Sequence, residues 1–167
     1  GHIDAVVKGG RVWNDVPYPL LIIPNANLSY TLQNESFALM NPMEFIADNY
    51  VSWEAIYYMN GALFNRLPLI KRLGWREVID FKGFYGSLRP GNMPDVTNSH
   101  NLFLFPTPTR QTSTERTMLT STPYMELSFG IANIFKVLEV DYVRRLTYLN
   151  VPGISKHGVR IRVHVEF

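Results

Sequence analysis

Gly158-Val159-Arg160-Ile161-Arg162-Val163-His164-Val165-Glu166-Phe167, the last ten residues, alternate strictly between two kinds of side chain. Val159, Ile161, Val163, Val165 and Phe167 are apolar, while Arg160, Arg162, His164 and Glu166 between them are charged or titratable. A period of two is that of a β-strand, whose successive side chains point to opposite faces. A strand of a soluble antiparallel sheet reads this way. So does a strand set between lipid and the wet lumen of a membrane barrel.

Composition narrows the choice. A chain of 167 residues is long enough for one domain with a sizeable core. Its net charge of +2, without a dense basic run, gives no reason to expect a nucleic-acid partner. Aromatic residues make up 13% and charged residues only 18%, against about a quarter charged in an ordinary soluble domain. Cysteine is absent, which excludes disulfides and thiolate metal sites. No secretory signal follows Gly1, so an exported protein would be represented here by a mature or internal piece. The longest apolar run, Leu20 to Ile23, is enclosed by Pro19 and Pro24, far short of the roughly 20 apolar residues of a membrane helix. A membrane core would therefore be crossed only by strands of a closed barrel, where every backbone polar group is paired.

Other stretches share the alternation. Ile3 to Trp13 reads as a weak strand interrupted by Gly9-Gly10, followed by a tight turn over Asn14 to Pro19. Leu20 to Tyr30 is expected to be a second strand, irregular around Pro24, and Thr31 to Asn49 a structured loop. Tyr50 to Phe64 carries Val51, Trp53, Ala55, Tyr57 and Leu63 on its apolar face. Residues 65–74 form a cationic connection with one helical turn. Trp75 to Leu88 sets Ile79, Phe81 and Tyr85 against Arg76, Asp80 and Lys82. Glu77 interrupts the apolar row there, at a position where a headgroup or water would solvate it. Residues 89–121 are a long polar loop with an apolar patch at Leu102 to Phe105. Pro123 to Ile131 and Val137 to Leu149 alternate again, and Arg144 breaks the apolar face of the latter.

Connections alternate between two ends. Short links at 14–19, 65–74 and 132–136 fall at one end; 31–49, 89–121 and the shorter 150–157 fall at the other. Short turns opposite mostly long loops are the arrangement of outer-membrane barrels, whose short turns are periplasmic. The expected fold is all-β: an antiparallel transmembrane β-barrel of which residues 1–167 are the C-terminal part, about seven strands. Seven strands do not close a bacterial single-chain barrel, which takes an even number from about eight upward.

Several dispersed segments carry a resemblance. They are Pro17-Tyr-Pro-Leu-Leu21, Phe37-Ala-Leu-Met-Asn41 with Met43-Glu-Phe45, Asn65-Arg-Leu-Pro-Leu69 with Arg76-Glu-Val78, Pro123-Tyr-Met-Glu126 with Gly130 to Lys136, and Val140-Asp141 with Arg145-Leu-Thr-Tyr148. Together they resemble a Bacteroidota family of outer-membrane proteins of unknown function. That family joins a carboxypeptidase-regulatory-like domain to a barrel of the surface-antigen, BamA-type superfamily. The resemblance implies a bacterial outer-membrane location, lipid and the barrel-assembly machinery as partners, and contacts with other outer-membrane or periplasmic proteins. It implies a non-enzymatic role in assembling or translocating outer-membrane proteins, without a cofactor. It also makes Gly158, Val159, Ile161, Val163, Val165 and Phe167 a C-terminal sorting signal, and residues 65–72 a periplasmic turn. Arg144 departs from the family pattern.

The remaining chemistry is sparse. His2, His100, His157 and His164 lack ligand spacing, so no metal site is expected. Ser99-His100 has no partner to orient a base, Gly9-Gly10 and Gly91 lack a strand-to-helix context, and the sequons at Asn27 and Asn34 are such by form only. Asp80, Lys82, Glu139, Asp141, Arg145, Arg160 and Arg162 would line the lumen. Their mixed signs suit an internal ion-pair lattice or a plugged barrel better than an anion-selective pore. Arg66, Lys71 and Arg72 admit two readings: plain solvation, or contact with headgroups or a periplasmic partner. Beside the assembly reading stand a porin-like or uptake channel and a soluble β-barrel module with a ligand cavity. Replacing Phe167→Ala, or adding a polar C-terminal extension, should lower assembly into the membrane more than it lowers stability; normal membrane levels of either variant would refute the sorting signal.

Overall fold

Six strands follow one another across a single antiparallel sheet in the order in which they occur along the chain. They are β1 (His2–Arg11), β2 (Asn49–Tyr58), β3 (Arg76–Ser87), β4 (Tyr124–Ile134), β5 (Leu138–Arg145) and β6 (His157–Val163). The computed structural model describes residues 1–33, 35–93 and 119–163. Among the described residues helix is confined to single turns: 3₁₀ turns at Tyr18–Leu20, Phe64–Arg66 and Pro90–Asn92, and α1 at Pro68–Lys71.

The register sorts the side chains into two faces. One face aligns Ile3, Tyr57, Ile79, Phe129, Tyr142 and Val159 across all six strands, beside Ala5, Ala55, Phe81 and Leu127. The other aligns Glu54, Lys82, Glu126 and Arg145, then Asp141 with Arg160 and Glu139 with Arg162. Burial runs opposite to polarity. Asp141 is fully buried and Tyr142 beside it is 50% exposed; Glu126 is 2% exposed and Leu127 is 39%.

What covers the charged face is the connection from β1 to β2, residues 12–48. Phe37, Met40, Phe45 and Ala47 from this connection pack with Phe84 of β3 and Tyr124 of β4. Leu32, Ala38 and Leu39 pack with Val143 of β5. Phe37 meets the Tyr124 ring edge-on at 5.4 Å. The core thus lies between the connection and the sheet, not beneath the apolar face.

Two sequence expectations are corrected. Leu20 to Tyr30 is not a strand, so the described residues contain six strands and no link at 14–19. Pro19 and Pro24 lack backbone N–H groups, and much of the neighbouring backbone pairs inside the connection: Ile22 with Ala47 in both directions at 2.8 and 2.9 Å, Asn27 N–H with Phe37 C=O, and Phe37 N–H with Asn25 C=O. Glu77 is not solvated. It is fully buried, and its carboxylate accepts the backbone N–H groups of Leu63, at 3.0 Å, and Phe64. Those groups would otherwise be orphaned where Asn60 (φ 53°) and Gly61 (φ 81°) reverse the chain.

The revised topology still separates two ends. Connections 59–75 and 135–137 lie at one, and 12–48, 88–123 and 146–156 at the other. The apolar patch at Leu102 to Phe105 falls outside the described residues. β1 and β6 are the edges of an open sheet. Near the β6 edge the Ile161 N–H donates to Tyr30 C=O and its C=O accepts from Leu32 N–H, both at 2.8 Å. Glu77→Ala should cost about 1–3 kcal/mol, the penalty for stranding buried donors; denaturant unfolding of the full-length protein checks this, and an unchanged midpoint would show that the turn does not need its carboxylate.

Candidate functional site

The charged face of the sheet, with the connection that fills it, is the candidate site. Period-two strands place a residue from β2, β3, β4 and β5 in each cross-sheet row, which puts Glu54, Lys82, Glu126 and Arg145 side by side. Lys82 Nζ lies 2.7 Å from Glu54 and 3.5 Å from Asp80, and donates to the Ser36 carbonyl at 3.2 Å. Arg162 of β6 reaches acids on two other strands: Glu139 at 3.1 Å and Asp141 at 3.8 Å on β5, and Asp80 at 3.4 Å on β3.

Arg145 and Glu44 form the deepest pair, both side chains without solvent exposure. The fork is bidentate, Nη2 to Oε1 at 2.6 Å and Nη1 to Oε2 at 3.1 Å. Arg145 directs its other donors to the carbonyls of Thr147 and Tyr148, and its guanidinium lies 4.7 Å over the Tyr124 ring. Glu126 accepts the successive N–H groups of Ala38 and Leu39, each at 2.8 Å, and the Tyr124 hydroxyl at 2.5 Å. Arg160 Nη2 donates to the Ala38 carbonyl at 2.6 Å. Charges on the sheet are thus matched to the backbone of the connection as well as to each other.

A second clamp closes the end that carries the long connections. Asp48 Oδ2 accepts from Arg89 N–H, Arg89 Nε and Asn92 Nδ2 at 2.8–3.0 Å. Arg89 also donates to the carbonyls of Val12, Trp13 and Asn14. Burial raises the Asp48 pKa, but the hydrogen bonds from Asn92 and Arg89 and the Arg89 charge outweigh it and hold the carboxyl below its ordinary value.

Asp80, Lys82, Glu139, Asp141, Arg145, Arg160 and Arg162 all lie on the covered face, Arg160 half-buried and the rest buried. Val159, Ile161 and Val163 point to the apolar side. Gly158 is turned the other way, where a Cβ would stand 3.1 Å from Leu39. Val165, Phe167, His164 and the Ser99-His100 pair lie outside the described residues. His2 stacks on Tyr58 and His157 on Tyr142, far from any shared ligand geometry. Among the described residues, no group of three or more His, Asp or Glu is placed to hold a metal ion.

Glu44, Glu54, Glu126 and the Asp48–Arg89–Asn92 clamp do not stand out in the sequence as site residues. Glu54 and Glu126 occupy polar rows and carry a readable signal. Glu44 has only its isolation between Met43 and Phe45. The arrangement immobilises charges and fills space: one cavity of about 210 Å³ remains between the connection and β1–β3, beside Lys8, Glu54 and Lys82. Another of about 280 Å³ opens at the short-turn end among Asp4, Tyr58, Arg76 and Glu139. No protein-family model matches the chain, and neither a characterised protein nor a solved structure matches it.

Removing one partner of a buried ion pair typically costs about 3–5 kcal/mol, whereas replacing both by apolar residues is often neutral. Glu44→Ala should therefore destabilise the full-length protein by about that much, and Glu44→Met with Arg145→Met should recover most of it; equal losses in both, read from denaturant midpoints, would contradict the pairing.

Proposed function

We propose that this chain is the C-terminal part of a non-enzymatic outer-membrane β-barrel whose apolar face meets lipid and whose charged face encloses the 12–48 connection. The observation that carries the reading is the inverted burial: Tyr57, Tyr85, Leu127, Phe129, Tyr142, Val159, Ile161 and Val163 are exposed on one side, and the ionisable groups are buried on the other. In water this apolar side would exceed the patches that soluble monomers tolerate; in lipid it needs no cover and resembles a barrel wall. The lengths of β1 to β4, from 10 to 12 residues, fit the roughly 9–11 residues of a tilted membrane strand. Arg144, exposed beside Leu127, holds the last apolar-face position of β5, near the end where a long side chain reaches headgroups.

In this reading further strands of the same polypeptide join β1 to β6, because six are too few to close a bacterial barrel. The short turns face the periplasm. The resemblance to surface-antigen barrels supports a role in assembling or translocating other outer-membrane proteins. A porin-like channel is disfavoured by a lumen whose charges are paired and whose space the connection occupies, and a soluble ligand-binding barrel by the lipid-compatible face.

Fractionation of cells expressing the full-length protein should place it in the outer membrane, and recovery from the soluble periplasm would overturn the proposal. In planar bilayers the protein should be electrically silent. A steady conductance altered by charge reversal at Arg160 or Arg162 would replace the assembly reading with a channel.

A further inference from the structure

The two short connections carry a surface that the sheet does not explain. Residues 59–76 contain Arg66, Lys71, Arg72 and Arg76, all exposed, and no acid. The nearest acid on that strand, Glu77, is buried against the turn's own backbone. The second short connection adds exposed Lys136, and Glu139 beyond it is buried against Arg162. Outward charge on these two turns is therefore of one sign.

Between the cations stand apolar side chains with nothing over them. Leu69 is 83% exposed and Phe135 is 86% exposed, and Leu63, Leu67 and Leu73 are about half exposed. Such side chains on a mobile loop would mean little, but these are held in place. Asn133 Nδ2 donates to the Gly74 carbonyl at 2.7 Å and joins the two connections. Glu77 fixes the start of the first, and α1 and the 3₁₀ turn at Phe64–Arg66 stiffen it. The result is one platform that presents leucines, a phenylalanine and cations together.

Resting on the outer-membrane reading above, we propose that residues 59–75 and 133–137 form a foot that seats on anionic phospholipid in the leaflet bordering the short turns. Arg66, Lys71, Arg72 and Lys136 meet the phosphates, and Leu67, Leu69 and Phe135 enter the acyl boundary. A cationic surface with apolar tips is the composition that binds an anionic interface. Trp75 stands at the base of β3 beside the foot, where barrel aromatics mark the membrane boundary. Charge complementarity selects this occupant over a second copy, whose like-charged foot would repel it.

The test uses the full-length protein in bilayer discs of about one part phosphatidylglycerol to four parts phosphatidylcholine, with the co-purifying lipid quantified by mass spectrometry. Phosphatidylglycerol should be enriched over its bulk share. The combined variant Arg66→Gln, Lys71→Gln, Arg72→Gln, Lys136→Gln should lose that enrichment and carry phosphatidylglycerol at its bulk share. Charge-keeping Arg66→Lys with Arg72→Lys should retain it, which separates loss of charge from loss of fold. Leu69→Ser with Phe135→Ser should reduce quenching of tryptophan fluorescence by brominated lipid. Bulk-ratio lipid on the wild type, or undiminished enrichment in the combined variant, overturns the foot. So does wild-type self-association that the combined variant abolishes, because the occupant would then be a second copy. Outer-membrane recovery measured alongside keeps the two proposals apart: a membrane-inserted protein without lipid preference loses the foot and keeps the barrel.

Discussion

Arg145 and Glu44 constitute the interaction on which the rest of the structure depends. Two full charges without water are tolerable only when attraction is joined by hydrogen bonds to the remaining polar atoms. Here Glu44 supplies both oxygens to the fork, and the carbonyls of Thr147 and Tyr148 take further donors. Because Arg145 belongs to β5 and Glu44 to the connection between β1 and β2, the pair forms only when that connection lies against the sheet. Phe37 and Phe45 are then carried onto Tyr124. Ala38 and Leu39 are brought to Glu126 in the same movement. Ionic and apolar burial are thus one event.

A consequence is that the two faces of the sheet differ in what covers them. On the covered side, apolar side chains form two clusters and the ionisable groups meet one another and the backbone of the connection. On the other side, one large ring lies over a gap in the neighbouring strand. Trp53 stands opposite Gly83, where an added Cβ would fall 2.1 Å from its ring, so the ring lies flat over the glycine.

Strand positions were largely legible in the sequence because alternation is a local signal. Met125, Leu127 and Phe129 alternate with Glu126 and Ser128, and that contrast alone marks β4. The same alternation placed Asp80, Lys82, Glu139, Asp141, Arg145, Arg160 and Arg162 on one side. What it did not reveal was the content of that side. Leu20 to Tyr30 has the apolar richness of a strand, yet Ile22, Asn25 and Asn27 bond to Ala47 and Phe37 within their own connection, a pairing without sequence period. Glu77 looked like a flaw in an apolar row because the N–H groups that it accepts, those of Leu63 and Phe64, lie on a turn whose path no periodicity encodes. Glu44 was hidden for the same reason: its partner is distant in sequence and on another element.

The short bridge at Ile161 has a further meaning. In an antiparallel ladder a residue directs both its backbone groups to the same side, and its neighbours direct theirs to the other. Ile161 gives both to Tyr30 and Leu32, so Val159 and Val163 look toward the same edge. A strand laid along the whole of β6 and the segment Tyr30–Leu32 are mutually exclusive occupants of one pair of groups. Completing the ladder there and keeping the interior connection in its present seat are competing equilibria, and the free energy of either is set partly by the other.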